Sequence, residues 1–265
     1  MDSLSPVLPI RPVAPYIGGK KALAKRLNAR IAAVSHDTYA EVFVGMGGVF
    51  LRRDRRPKAE VINDFSHDVA NFFRVVRHHY QAFMNLLDFQ ITSRDEFERL
   101  KATDPDTLTD MQRAARFLYL QCLAFGGKVA GRNFGVSVGR PGRFNVNKLA
   151  ADLADLNERL AAVVIERLDW SEFIRRYDRK GTLFYLDPPY FGCEGDYGRD
   201  LFDRSQFVAM AGQLRRIEGR FILSLNDTPE VREIFAGFNF EAVGVRYTVS
   251  GGGNASMAKE VIISN

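Results

Sequence analysis

Tyr39-Ala40-Glu41-Val42-Phe43-Val44-Gly45-Met46-Gly47-Gly48, followed at a short distance by Glu60-Val61-Ile62-Asn63-Asp64, is the stretch whose reading decides the fold. The apolar run Tyr39 to Val44 predicts a short buried strand, and its glycine loop lets a ligand approach the backbone closely. A brief helix follows the glycines. Glu60 to Asn63 predicts a second strand ending at Asp64, and Ser66 to Tyr80 a long helix. Strand, glycine turn, helix, then a strand ending in an acid is the opening of a doubly wound α/β domain. In that setting Asp64 matches the acid that holds ribose hydroxyls, although the same residue also suits the start of the next helix. Taken alone, the glycine loop and its acid serve many folds.

Upstream, Lys20 to Ile31 shows helical spacing of Ala22, Leu23, Leu27 and Ile31 behind Gly18-Gly19. Downstream, Thr92 to Leu123 reads as two helices broken at Asp104-Pro105, and Ala124 to Asn147 turns glycine- and arginine-rich with little apolar periodicity. The α/β pattern resumes with a helix over Leu149 to Leu160, a strand over Val163 to Glu166 and a helix over Trp170 to Tyr177. Leu183 to Leu186 and Phe221 to Leu225 predict strands, with helices over Arg204 to Ile217 and Pro229 to Phe235. Phe240 to Val249 and Glu260 to Ser264 read as two closing strands. The economical organisation is one α/β domain interrupted once: residues 1–80, an insertion over 81–148, and 149–265.

Composition agrees with this size of domain. The 265 residues are 46% hydrophobic, enough for a core without disulfide or metal staples, and the net charge of +5 suits a polyanionic partner without demanding one. Cys122 and Cys193 form no C-x-x-C pair, and His36, His67, His78 and His79 lack zinc-type spacing, so no metal is expected. The Pro-rich start, Met1 to Pro15, is unlike a signal peptide, and no window approaches the ~18 apolar residues of a membrane span. A cytoplasmic protein with reduced thiols is the expectation.

The chemistry concentrates in Asp187-Pro188-Pro189-Tyr190, directly after the apolar run Leu183-Phe184-Tyr185-Leu186. Ligands of open α/β sheets bind at that carboxyl edge. Two prolines hold a rigid extended turn, which presents the Asp187 carboxylate and the Pro188 carbonyl as fixed acceptors beside an aromatic face. An exocyclic amine is a poor nucleophile because its lone pair is delocalised into the ring. Two acceptors gripping its hydrogens favour a tetrahedral nitrogen and stabilise the positive charge that develops as a methyl group arrives. Tyr190 would stack on the base. The plainer reading is a proline-rich turn with an Asp cap.

Together these residues resemble the DNA adenine methyltransferase (Dam-like) family, in the family's order along nearly the whole chain. Pro15-Tyr16-Ile17-Gly18-Gly19-Lys20 resembles its N-terminal aromatic-x-Gly-Gly-Lys motif, and Glu41 to Leu51 its cofactor loop. Ile62-Asn63-Asp64 is similar to the ribose-binding acid, and Arg143-Phe144-Asn145-Val146 to the end of the DNA-reading hairpin. Asp187 to Tyr190 matches the catalytic signature, and Ser250-Gly251-Gly252-Gly253 the last hairpin. The resemblance implies a seven-stranded, mostly parallel, Rossmann-like methyltransferase sheet with a helical target-recognition insertion. It implies S-adenosylmethionine as cofactor, with contacts from Tyr16, Lys20, Asp64 and Asp187, beside the loop residues Phe43, Gly45 and Gly47. It further implies N6 methylation of adenine in double-stranded DNA by a monomer in a bacterial or phage-infected cell. Where the family often carries a base-reading lysine before the aromatic, this chain has Pro15, so no recognition sequence carries over.

Other candidates are less specific. Asp169, after the strand Val163 to Glu166, suits either the cofactor adenine or a helix cap. Lys128, Arg132, Asn133, Arg140 and Arg143 lie in the irregular basic stretch; Arg and Asn read guanine and adenine in the major groove, and they also populate solvated loops. Arg52-Arg53 and Arg55-Arg56, straddling Asp54, suit a phosphate contact but read more simply as a solvated charge run. A related turn also serves methylation of cytosine N4, RNA adenine or a protein amide, and a silent DNA-binding relative is the rival from another class.

Overall fold

The computed structural model of the chain describes residues 4–135, 139, 141–192, 202–247 and 256–265. Five parallel strands form the body of one sheet: β1 (Thr38–Glu41), β2 (Ala59–Asn63), β3 (Val163–Glu166), β4 (Thr182–Leu186) and β5 (Arg220–Asn226). The antiparallel pair β6 (Asn239–Tyr247) and β7 (Ser256–Ser264) completes it, with β7 running against β5. The spatial order is β3-β2-β1-β4-β5-β7-β6, the seven-stranded, mostly parallel sheet expected from the sequence. Strand order reverses on either side of β1, and the crevice above such a switch point is where ligands bind in open α/β sheets.

Both faces of the sheet are covered, which explains why its strands read as continuous apolar runs. Tyr39, Ile62, Leu183 and Tyr185 point to one face, while Ala40, Val61, Phe184 and Leu186 point to the other, as the period of a strand requires. The first face carries α1 (Ala24–Ala33), α2 (His67–His78), α3 (Tyr80–Leu87), α4 (Arg94–Ala102), α5 (Asp110–Leu123) and α6 (Val146–Arg159). Phe72, Phe83, Phe97 and Phe117 of α2 to α5 belong to the same buried cluster as the sheet residues beneath them. The second face carries α7 (Trp170–Tyr177), α8 (Arg204–Leu214) and α9 (Pro229–Ile234).

Local signals set the helix ends. Ser93 caps α4, and Thr109 with Gln112 forms a capping box on α5, on either side of the predicted break at Asp104-Pro105. Three expectations shift. The first helix begins at Ala24, because Lys20 to Leu23 form a tight turn closed by Leu23 N–H donating to Lys20 O at 3.0 Å. The last strand begins at Ser256, where pairing with Tyr247 recruits small and polar residues that carry no strand signal themselves. Arg53 is no solvated charge: it is 2% exposed, pairs with Glu60 at 2.7 Å and lies over the Tyr39 ring. Arg159 closes on the same carboxylate at 2.6 Å, so this buried triad ties the end of α6 to β2. Arg55–Arg56, by contrast, stay exposed and pair with Ser5–Pro6 in a small antiparallel ribbon.

Candidate active site

Three strand ends meet at the switch point. Beyond β1 the chain continues as Val42 to Gly48, held by Val42 N–H donating to Tyr185 O and Val44 N–H to Asn63 O, each at 2.9 Å. Gly45 and Gly47 have φ of +51° and +74°, in the left-handed region that favours glycine. A Cβ on Gly45 would also stand 2.9 Å from the Tyr16 ring. Asp64 finishes this corner: Oδ2 accepts the N–H of Gly45 and Oδ1 that of Ser66, both at 2.9 Å. Burial pushes the Asp64 carboxyl up to about 6, against the lowering effect of those two donors. One side chain therefore shapes the glycine loop and starts the next helix.

Asp187 is the first residue beyond β4. Its Oδ1 receives Lys20 Nζ at 2.7 Å and Ser224 Oγ at 3.1 Å. Among the described residues, Oδ2 has no protein partner. The Lys20 ammonium is 2% exposed and also donates to Gly18 O and to the Tyr190 hydroxyl, each at 3.1 Å. It stands 4.5 Å from the centre of the Tyr190 ring as well. Burial raises the Asp187 pKa, and the charge and hydrogen bond of Lys20 oppose the rise. Glu41, at the end of β1, is buried, so its carboxyl is pushed up to about 8 and is largely protonated at neutral pH; the Tyr39 hydroxyl donates to it.

These groups wall a cavity of about 480 Å³, within the usual range for small-molecule sites. Of the residues singled out in the sequence, Tyr16, Lys20, Phe43, Gly45, Asp64, Asp187 and Pro189 line it. Gly47 shapes the loop, and Tyr190 contacts the site through Lys20. Asp169 does not line the cavity: exposed, it caps α7 by accepting the Ser171 N–H at 2.9 Å. Phe65 and Phe202 supply apolar wall that no motif signalled, Met46 of the glycine loop adds to it, and the Phe202 ring meets Phe43 edge-on at 5.9 Å. Ser224 was also missed, although a serine inside an otherwise apolar strand is a readable anomaly.

The basic candidates divide. Lys128, Asn133 and Arg143 are exposed, and Arg140 lies outside the described residues. Arg132 is half-buried, donating to Lys128 O and to Gln121 Oε1, each at 3.2 Å. Gln121 is fully buried and donates to Pro15 O at 2.8 Å and Gly127 O at 2.6 Å. The basic loop is thereby hydrogen-bonded to the segment that lines the cavity.

The sequence model of the D12 class N6 adenine-specific DNA methyltransferases matches residues 16–249, a span that includes Tyr16, Lys20, Asp64, Asp187 and Ser224. The chain belongs to this family. It is 23% identical over 278 residues to the type II methyltransferase M1.LlaDCHI of Lactococcus lactis subsp. cremoris, covering 97% of this chain and 95% of that protein. With the DNA adenine methylase of Haemophilus influenzae it shares 25% over 274 residues, 94% of this chain and 91% of the relative. The type II methyltransferase M.CviBI of Paramecium bursaria Chlorella virus NC1A is 21% identical over 233 residues, covering 86% and 88%. The expected activity, methylation of DNA adenine at N6, is the family's, and the α/β sheet is the one expected. Among the described residues of this methyltransferase, no helix is long and apolar enough to cross a membrane.

Proposed function

We propose that the methyl donor is S-adenosylmethionine, that the substrate is double-stranded DNA, and that Asp187 to Tyr190 form the catalytic turn. The cavity fits such a donor. Phe43, Met46 and Phe202 offer apolar wall for a flat base, and Asp64 a carboxylate for ribose hydroxyls. Gly45 and Gly48 present bare backbone to the cavity, and the missing Cβ of Gly45 leaves room for the Tyr16 ring that lines it beside them. When bound, the donor supplies a methyl group already activated on a sulfonium sulfur.

The chain's own part is positioning and electrostatics. Adenine N6 is out of reach inside the duplex, so the base is extruded into the cavity. Asp187 Oδ2 and the Pro188 carbonyl accept the two N–H bonds of the amine, and Tyr190 stacks on the base. Lys20 and Ser224 keep Oδ1 occupied, so the carboxylate meets its substrate with one oxygen only. The fixed negative charge then stabilises the positive charge that develops on nitrogen. Residues 81–148 act as the target-recognition insertion, with Lys128, Arg132, Asn133, Arg140 and Arg143 facing DNA. The protein acts as a cytoplasmic monomer.

The single observation that carries this reading is the Asp187 carboxylate at the cavity wall, one oxygen engaged and the other without a protein partner among the described residues. The test is transfer from methyl-labelled S-adenosylmethionine to duplex DNA, single-stranded DNA and RNA of one sequence, followed by nucleoside analysis. Label as N6-methyladenine, fastest on the duplex, is the expected result. Label on cytosine, or a preference for RNA, would overturn it.

A further inference from the structure

Pro188 and Pro189 have no N–H, so the two middle residues of the turn donate no backbone hydrogen bond to the sheet. The chemistry nevertheless needs Asp187 fixed, because a misplacement of about 1 Å can cost about 10²-fold in rate. The neighbouring strand supplies what is missing. Ser224 and Asn226 of β5 are two residues apart and point to the same face. The register pairs Leu186 with Leu223, which brings Ser224 beside Asp187. Ser224 Oγ donates to Asp187 Oδ1 at 3.1 Å and shares a 2.9 Å hydrogen bond with the Tyr185 hydroxyl. Asn226 Oδ1 accepts the Phe191 N–H at 2.9 Å, while its Nδ2 donates to Phe191 O at 2.9 Å. That ring of two bonds closes on the first residue after Tyr190.

We propose that Ser224 and Asn226 are positioning residues that clamp the catalytic turn, Ser224 at its entry and Asn226 at its exit. Ser224 is fully buried and neither residue lines the cavity, so their action on the reaction runs through the turn. The proposal rests on the catalytic reading of Asp187 above. The two ends of the clamp differ in one measurable respect. The charged and titratable groups around Asp187 are Lys20 before α1, Glu41 on β1, Tyr185 on β4 and Glu260 on β7. Against that background the Ser224 hydroxyl favours the ionised form of Asp187. Its removal moves the acid limb of the rate profile to higher pH. Asn226 touches only backbone, and its removal leaves that limb in place.

The experiment uses the full chain and single-turnover transfer of a labelled methyl group to adenine-bearing duplex, from mildly acid to mildly alkaline pH. Affinities for S-adenosylmethionine and DNA, and the thermal unfolding midpoint, are measured on the same preparations. Ser224→Ala and Asn226→Ala should each slow transfer roughly 10- to 10²-fold with both affinities little changed. Only Ser224→Ala should shift the acid limb, and Ser224→Thr should restore it. Asp187→Ala separates the two levels of inference. Should Asp187→Ala stay active, the reading of the site fails. If Asp187→Ala is inactive while the Ser224 and Asn226 variants lose only thermal stability, the clamp is overturned and the site stands. A rate that falls only in step with both affinities also overturns it. If Ser224→Ala does not fold, Ser224→Thr and Asn226→Ala still decide the matter: wild-type turnover in Asn226→Ala refutes the clamp.

Discussion

Replacing Asp187 by Asn keeps the shape of the side chain, and the surroundings dictate which way the new amide must face. Lys20 Nζ lies 2.7 Å from Oδ1, and an ammonium offers donors only. Ser224 also donates to that oxygen, at 3.1 Å. The amide oxygen is therefore held on the Lys20 side, and its NH2 takes the place of Oδ2. Two donors then oppose each other where the substrate amine should be gripped, and the developing positive charge loses its counter-charge. Losing one preorganised electrostatic group of this kind costs about 2.7–4 kcal/mol, or roughly 10²- to 10³-fold. The buried ammonium also loses its counter-ion, so the unfolding midpoint should fall; stripping a buried pair completely costs about 3–5 kcal/mol, and the remaining amide oxygen makes this case milder. DNA affinity should change far less, since phosphate contacts supply most of it. The assay is single-turnover transfer of labelled methyl paired with DNA binding. Combining Asp187→Asn with Lys20→Met releases the amide to turn its oxygen toward the cavity. The double variant should then lose less than the product of the two single losses. Near-normal transfer by Asp187→Asn would refute the gripping role, and strict multiplicativity would refute the pinning by Lys20.

Asp64, with its carboxyl at about 6 in the folded protein against 3.8 ordinarily, should make cofactor binding pH-dependent. Hydroxyl donors prefer the ionised form, so affinity should hold above that value and decline as pH falls through it. The sign for stability is the reverse: the folded chain binds the extra proton between those values, so Asp64 lowers stability as pH rises through that window. Calorimetric titration of Asp64→Ala should show affinity reduced by about 1.5–3 kcal/mol and this pH dependence abolished; unchanged affinity would leave Asp64 as a loop brace only. Arg143→Ala should either relax discrimination among substituted duplexes or lower the salt dependence of binding, according to whether Arg143 meets a base edge or a phosphate. Arg132→Ala should in addition weaken cofactor binding, through Gln121 and Pro15. Competition binding and calorimetry check both.

Signals carried by consecutive residues are legible in the sequence alone. The glycine loop, Asp64 after its strand and the double proline after Leu186 each report a local backbone need, and each lies where the sequence located it. Partners distant in sequence are not legible. Nothing in the run Arg52 to Arg56 says that Arg53 will meet Glu60 and Arg159 beneath α6 while Arg55 stays in water. Asp169 suits two local readings equally, and what separates them is its cap on Ser171 and its absence from the cavity lining. Ser224 and Asn226 sit at the spacing of one strand face, yet their meaning depends on register with β4, which periodicity alone does not fix.

The order of the sheet brings together residues from nearly opposite ends of the chain. Lys20 and Tyr190 touch across 170 positions, and Asp64 and Ser224 come from two further segments. No short contiguous fragment holds the site, and no early folding intermediate can present it before the central parallel strands have assembled. Such long loops make assembly slow, because their closure entropy is spent before the contacts form. They also make the cavity a reporter on the whole molecule. A ligand that fills it binds only the fully assembled chain, and at a hundred times its Kd it adds about 2.7 kcal/mol to global stability. A methyl donor bound there thus acts as a folding ligand as well as a substrate.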